Sequence, residues 1–164
     1  MNTELKEQIK AHQKTQRITT QRQQLWLQEK QAYTQATLEQ LVTDYNISGK
    51  VASEKDTSNM KPVYLDLGQV ESGIAKLEGE NINVPYIKVL GCLFYTPVHN
   101  GMISVIVRLP YIKDLMQAHT PKLLETIAPK EITKDVIENN LIEFFKELQN
   151  WENQGVNTHN PIGF

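Results

Sequence analysis

Cysteine is nearly absent from this sequence, which has one such residue, Cys92, among its 164. A single thiol excludes an internal disulfide framework, which is the composition that a reducing compartment leaves. Cys92 lies within an apolar segment that reads as a strand, so we expect a buried thiol that packs as a small hydrophobic group. A reactive cysteine is the less favoured interpretation.

Long apolar runs and an excess of charge of one sign are lacking as well. The longest apolar stretches, 89–95 and 102–107, fall far short of the roughly 20 residues that span a bilayer. The first ten residues, MNTELKEQIK, carry charges where a secretory signal would need a continuous apolar run. A net charge of -2 creates no overall field that would recruit nucleic acid or an acidic membrane. We therefore predict a cytoplasmic protein that has no membrane partner.

Spacings typical of catalytic, metal or nucleotide sites are also missing. The eight glycines form no phosphate-binding loop, and no serine lies in a glycine-flanked elbow. The histidines fall on four different predicted elements, without metal-ligand spacing. We predict no catalytic residue, no metal and no cofactor. An enzyme of unrecognised type, with a site between the predicted hairpin and residues 110–127, stays the third hypothesis. The histidines are His12, His99, His119 and His159.

Glycine and proline are absent from residues 1–45, which hold ten of the fourteen glutamines. Glutamine, glutamate, lysine and leucine favour helix, and nothing here interrupts one. We predict a helical arm over 1–45. The β-branched residues around Arg17–Thr20 leave two alternatives, one long helix or two, with Thr19 or Thr20 capping the second.

The apolar residues of this segment fall on one side of an ideal straight helix, with a long gap between Ile9 and Leu27. We expect Leu38, Leu41, Val42 and Tyr45 to dock on the core, while residues 1–24 project or pair with another chain. A helix without an apolar face to bury is marginal in water, so partner contact or fraying is the expected state of its first half. The residues of that side are Leu5, Ile9, Leu27, Leu38, Leu41 and Tyr45.

From residue 46 the pattern changes. Residues 46–62 are polar and contain Gly49 and Pro62, which predicts a linker or mobile loop. Residues 63–67 alternate as a strand. Two apolar, β-branched segments, 84–98 and 102–109, flank a turn at His99–Gly101 and predict a central hairpin covered on both faces. Gly91 indicates a bulge or the close approach of another element.

Beyond Pro110 the pattern returns to helix. We predict helices at 111–119 and 129–151, with a further short segment at 121–127, and an irregular tail over 152–164. The fold class is therefore α+β: a glutamine-rich N-terminal helix or helix pair, a small antiparallel sheet built on a central hairpin, and C-terminal helices packed on the sheet. The core domain is assigned to 63–151.

Two features of the helical arm suggest binding. Lys6, Lys10, Lys14 and Arg17 recur at helical spacing within about 80°, and no acid lies between Gln8 and Gln28. Such a basic stripe could follow a phosphate backbone, although a solvated helix face is the commoner explanation.

The second feature is Leu25-Trp26-Leu27, the bulkiest apolar group of the glutamine-rich segment. An aromatic residue on a thin helix either packs back on its own domain or anchors a partner, and we weigh the two equally. The leading hypothesis is a non-catalytic interaction protein whose arm forms a homo-oligomer or binds a protein partner. Phage and plasmid accessory proteins often have this make-up. Nucleic-acid binding through the basic stripe is the alternative.

Overall fold

The computed structural model describes residues 2–53 and 61–154 and has an α+β fold, as predicted. An N-terminal helix is followed by antiparallel sheets of five and three strands, and a C-terminal helix packs on the larger sheet. The helical elements are α1 (Thr3–Leu25), a π turn (Trp26–Lys30), α2 (Gln31–Asp44), a 3₁₀ turn (Pro129–Glu131) and α3 (Lys134–Glu152). The strands are β1 (Lys50–Ser53), β2 (Val63–Asp66), β3 (Gln69–Glu78), β4 (Ile82–Val89), β5 (Cys92–Pro97), β6 (Ile103–Arg108), β7 (Tyr111–Ile112) and β8 (Lys122–Ile127).

The N-terminal segment forms one continuous helical rod rather than two separate helices. Its first turn is capped by Asn2, whose Oδ1 accepts a hydrogen bond from Leu5 N at 3.2 Å. Of the two alternatives, the one in which Thr19 or Thr20 caps a second helix is not found: α1 continues through both, and Thr20 Oγ1 donates to Gln16 O at 3.1 Å within the same helix. The irregularity lies further along, in the π turn, where Gln31 N donates to Trp26 O, five residues back.

The π turn rotates the buried face of the rod. A π turn takes up one extra residue, which displaces the following side chains by about 100° relative to a straight helix. Leu38 and Leu41 are fully buried, whereas Leu5 and Ile9 lie in the part of α1 where every described residue is exposed, although a straight helix would put all four on one side. Tyr45, expected in the core, is 68% exposed. The extra residue thus separates the core face of α2 from the apolar side of α1.

The five-stranded sheet has the order β1-β2-β5-β6-β8, so the predicted hairpin β5–β6 does lie near its centre. One face of this sheet packs against α2 and α3. Gly91 allows that packing, because a Cβ there would collide with Leu148 and come within 3.2 Å of Phe144 in α3. The core consists of Trp26, Leu38, Leu41, Val63, Leu65, Leu93, Tyr95, Ile103, Val105, Val107, Ile127, Ile132, Ile137, Leu141 and Phe144.

A single two-stranded ribbon connects the two sheets. The pairing of β2 with β5 and the first part of the β3–β4 pairing share one register, and Leu90 N donates to Gly68 O at 2.8 Å between them. The predicted strand 84–98 is thus two strands, β4 and β5, that bend at Leu90–Gly91. Beyond the bend, β3 and β4 extend as an exposed hairpin, with β7 along the base of β4.

The region between Pro110 and Ile127 differs from its prediction. Tyr111–Ile112 form β7 instead of starting a helix, and the segment expected at 121–127 is the edge strand β8, paired with β6. The C-terminal helical part is therefore one helix, α3, preceded by a 3₁₀ turn. Within the predicted linker, Lys50–Ser53 form β1. Residues 54–60 of that linker and the predicted tail from 155 onward lie outside the described residues.

Candidate interaction surfaces of the long helix

The first two-thirds of α1 extend away from the rest of the chain. Every described residue from 2 to 17 is exposed, and burial begins only at Ile18 and Thr19. From there α1 packs on the β5–β6 turn, where Gln23 Nε2 donates to His99 O at 3.3 Å. We call residues 3–17 the N-terminal extension. Its apolar side chains Leu5 and Ile9 are 59% and 49% exposed.

The predicted basic stripe lies within this extension. Because α1 is regular from Thr3 to Leu25, Lys6, Lys10, Lys14 and Arg17 occupy successive turns along one side. All four side chains are exposed. On the helical projection, the stripe lies about 100° from the side that carries Leu5 and Ile9. The two surfaces could therefore be occupied independently.

The three residues proposed to contact a partner have different environments. Trp26 is only 1% exposed and packs in the core of its own chain, where its Nε1 donates to Lys61 O at 3.2 Å. Leu25 is half-buried beside Ala128 and Lys130. Leu27 is 41% exposed and is the one of the three that presents a large apolar surface to solvent.

An apolar groove lies at the opposite end of the rod, between the end of α2 and the outer side of α3. It encloses about 660 Å³ and is lined mainly by Tyr45, Ile47, Leu141, Ile142 and Phe145. Tyr45 and Ile142 are 68% and 52% exposed, which is unusual for neighbouring large apolar side chains. No signal in the sequence indicated this groove, because its two walls are almost a hundred residues apart in the chain.

The rim of this groove carries one charge of each sign. Glu138 pairs with Lys134 at 3.8 Å, and Lys146 pairs with Glu143 at 2.7 Å, all of them on α3. Exposed pairs of this kind contribute little, so either charge can change partner at small cost. The groove therefore combines an apolar floor with adaptable charges at its edge, the usual composition of a protein contact.

A second groove lies between the edge strand β8 and α3 and encloses about 440 Å³. Its lining is mixed, polar and apolar, and Lys122 Nζ is 2.6 Å from Glu147 Oε1, an ion pair between the two walls. Asn140, which is buried at its base, donates from Nδ2 to Tyr95 Oη at 3.2 Å. Burial raises the pKa of that tyrosine, so its hydroxyl stays protonated at neutral pH. The ion pair joins the two walls of the groove, and the Asn140–Tyr95 hydrogen bond joins its base to β5.

Cys92 is buried on the face of the sheet opposite to α2 and α3. It lies between Asp66 and Arg108 in the strand register, and these two residues pair across it at 3.5 Å. Burial is the main cause that raises the pKa of the Cys92 thiol to about 12, so the thiol is protonated near neutral pH. The side chain thus packs as a small apolar group.

Within residues 2–53 and 61–154, no three His, Cys, Asp or Glu side chains lie close enough together to hold a metal ion. His12 lies in α1, His99 in the β5–β6 turn and His119 in the connection between β7 and β8, and His159 is outside those ranges. None of the helices in these two ranges has the length and apolar character needed to cross a membrane.

Comparison of the chain with protein-family models, curated proteins and solved structures found no match. The function of the chain is therefore inferred from its surfaces.

Proposed function

We propose that this chain is a non-catalytic interaction protein that assembles with itself, or binds a protein partner, through its N-terminal extension. One observation carries the proposal: the extension is a regular helix without a buried residue, and it exposes Leu5 and Ile9 one turn apart. Leu27, exposed further along the rod, adds a third apolar side chain. A cytoplasmic location and the phage or plasmid accessory class remain predictions that accompany this proposal.

Helix stability favours a partner for the N-terminal extension. An isolated helix of about 15 residues is marginal in water, because helix formation has a costly nucleus and most helical stability comes from packing. The extension avoids the nucleation cost by continuing from the packed part of α1, yet nothing among the described residues packs on its sides. A partner that covers Leu5 and Ile9 would supply the missing apolar contact.

Removal of the extension should abolish assembly. We expect the full-length protein to show a multiple of its 18.8 kDa mass by light scattering, and a variant that lacks residues 1–17 to show the mass of one chain. The cut must come before Ile18, because removal of all 45 residues would also delete Trp26, Leu38 and Leu41 from the core. Circular dichroism of the truncated variant checks that the fold is retained.

Matched substitutions make the result specific to the apolar side. Leu5→Ser with Ile9→Ser should have the same effect as the truncation, whereas Leu115→Ser, at a residue 50% exposed elsewhere, should not. The proposal is contradicted if the truncation changes neither the mass in solution nor the set of proteins that co-purify with the chain.

Nucleic-acid binding is the second candidate function. It is supported by the arrangement of Lys6, Lys10, Lys14 and Arg17 as four exposed cations along one side of the N-terminal extension, which no other part of the described chain covers. A helix with such a stripe can lie along a phosphate backbone, and each phosphate contact releases counterions.

Charge reversal provides the test of this candidate. If the four cations each neutralise one phosphate of a DNA duplex, the logarithm of the affinity falls with the logarithm of salt concentration with a slope of about -3.6. Lys10→Glu with Arg17→Glu should reduce this slope by about 1.8 and weaken binding to every sequence alike. Lys113→Glu with Lys134→Glu, which changes the net charge equally at exposed positions, is the control. Equal salt slopes for the two double variants would refute the idea.

A further inference from the structure

Two apolar surfaces of this chain, one convex and one concave, lie at opposite ends of the same rod. At one end the N-terminal extension presents Leu5 and Ile9, one turn apart on a convex helix. At the other end the groove beside Tyr45 offers a concave apolar floor, with Ile142 exposed on its far wall. An amphipathic helix that places its apolar residues in an apolar groove is a recurrent mode of protein recognition.

The extension cannot reach the groove of its own chain. Leu5 and Tyr45 are at the two ends of one helical rod, and 40 residues of helix at 1.5 Å each separate them by roughly 60 Å. The rod contains neither glycine nor proline, and Trp26 holds its middle in the core, so it does not fold back on itself. A contact between these two surfaces must therefore be intermolecular.

We propose that the groove lined by Tyr45 and Ile142 receives the N-terminal extension of a second copy of this chain. The inference rests on the proposed function and names the partner and its docking site. Two rods arranged antiparallel would place Leu5 and Ile9 of each copy against the groove of the other. The contact is then reciprocal, and it closes as a twofold dimer.

The same arrangement brings Leu27 to the dimer axis. The midpoint between Leu5 and Tyr45 falls at residue 25, so the two copies of the exposed Leu27 lie close to each other near the twofold. Leu27 lies in the π turn that directly follows α1. The seam between the two copies would then hold three apolar contacts, two at the ends and one at the centre.

Charge at the groove rim agrees with this occupant. The extension has Glu4, Lys6 and Glu7 around Leu5, and the rim has Glu138 and Lys146. Both surfaces therefore carry charges of both signs, so opposite charges can meet across the seam once the weak surface pairs of α3 exchange.

A complementation experiment tests the inference. The extension variant Leu5→Ser with Ile9→Ser and the groove variant Tyr45→Ser with Ile142→Ser should each lower the self-association constant at least tenfold by analytical ultracentrifugation. All four residues are at least 49% exposed, so the fold should survive both changes. Mixed in equal amounts, the two variants retain one intact extension and one intact groove, and they should form a heterodimer more tightly than either forms a homodimer.

The outcomes separate the inference from the proposed function. If the extension variant dissociates while the groove variant stays assembled, the extensions pair with each other, and the docking site proposed here is wrong although the proposed function stands. A full-length protein that is a monomer at every concentration also overturns the inference and leaves only a foreign partner for the extension. If neither variant changes the association constant of an oligomeric protein, both proposals fall.

A disulfide trap tests independently whether the extension of one copy contacts the groove of the other. In the double variant Ile9→Cys with Ile142→Cys, mild oxidation should yield a covalent dimer on a non-reducing gel, and Ile9→Cys alone should not. Native Cys92 does not compete, because it is buried and its pKa is raised to about 12. A dimer band of equal strength from Ile9→Cys alone would show that the extensions contact each other, against the inference.

Discussion

Replacement of Trp26 by alanine should lower the free energy of unfolding by about 3 to 5 kcal/mol, measured by chemical denaturation. The side chain is 1% exposed and is the largest among those that are fully buried. Its removal also leaves Lys61 O without the indole N–H that now donates to it. A loss of this size is a large part of the total stability of an ordinary domain.

A neighbouring substitution is the control for this prediction. Leu27→Ala, at a position that is 41% exposed, should cost well under half as much in unfolding free energy, while it weakens self-association if Leu27 lies at the dimer axis. We thus expect Trp26→Ala to affect mainly stability and Leu27→Ala to affect mainly assembly. The opposite pattern, in which Trp26→Ala abolishes assembly at a cost under about 1 kcal/mol, would place Trp26 at an interface instead of in the core.

The extent of the N-terminal helix could be predicted, but its faces could not. An absence of glycine and proline over 45 residues acts locally, so composition was sufficient to identify the rod. The π turn leaves no mark on composition, because it adds a single residue to the helical repeat. The π turn begins at Trp26, whose side chain packs in the core, and core packing is a tertiary effect. The straight-helix projection therefore grouped the exposed Leu5 with the buried Leu41.

The error between Pro110 and Ile127 has a different cause. A short run such as Lys122–Ile127 contains apolar residues at spacings that suit a helical turn and a strand equally well. The neighbouring strand decides between helix and strand: β6 is the last strand of the hairpin, and its free edge pairs with β8. Strand propensity of this kind reflects neighbours more than local sequence, so a single sequence does not reveal it.

The candidate binding surfaces also differ in whether they can be predicted from local sequence. The basic stripe follows from spacing alone, because consecutive residues of one helix generate it. The apolar groove brings Tyr45 beside Ile142, which are distant in sequence, and neither residue is unusual among its neighbours. Surfaces made by one element are therefore accessible to sequence analysis, whereas a site built from two elements requires the fold.

Gly101→Ala should destabilise the protein by about 2 to 4 kcal/mol and should also disturb assembly. Gly101 has a φ of +75°, which L residues rarely adopt. A Cβ there would lie 2.6 Å from Arg22 Cβ and 2.9 Å from Thr19 O, both in α1. Helix atoms of this kind cannot move singly, so α1 would have to shift as a unit away from the β5–β6 turn, and the N-terminal extension would shift with it.

Gly79→Ala separates the two contributions to that effect. Gly79 has nearly the same φ, +73°, but no atom lies within 4 Å of the position that its Cβ would occupy. Gly79→Ala should therefore lower the free energy of unfolding only by the backbone strain, about 1 to 2 kcal/mol, and leave the association constant unchanged. The excess loss in Gly101→Ala then measures the contact between α1 and the turn. If both glycine variants lose equal stability and assemble alike, that contact does not orient the extension, and the antiparallel dimer loses its structural support.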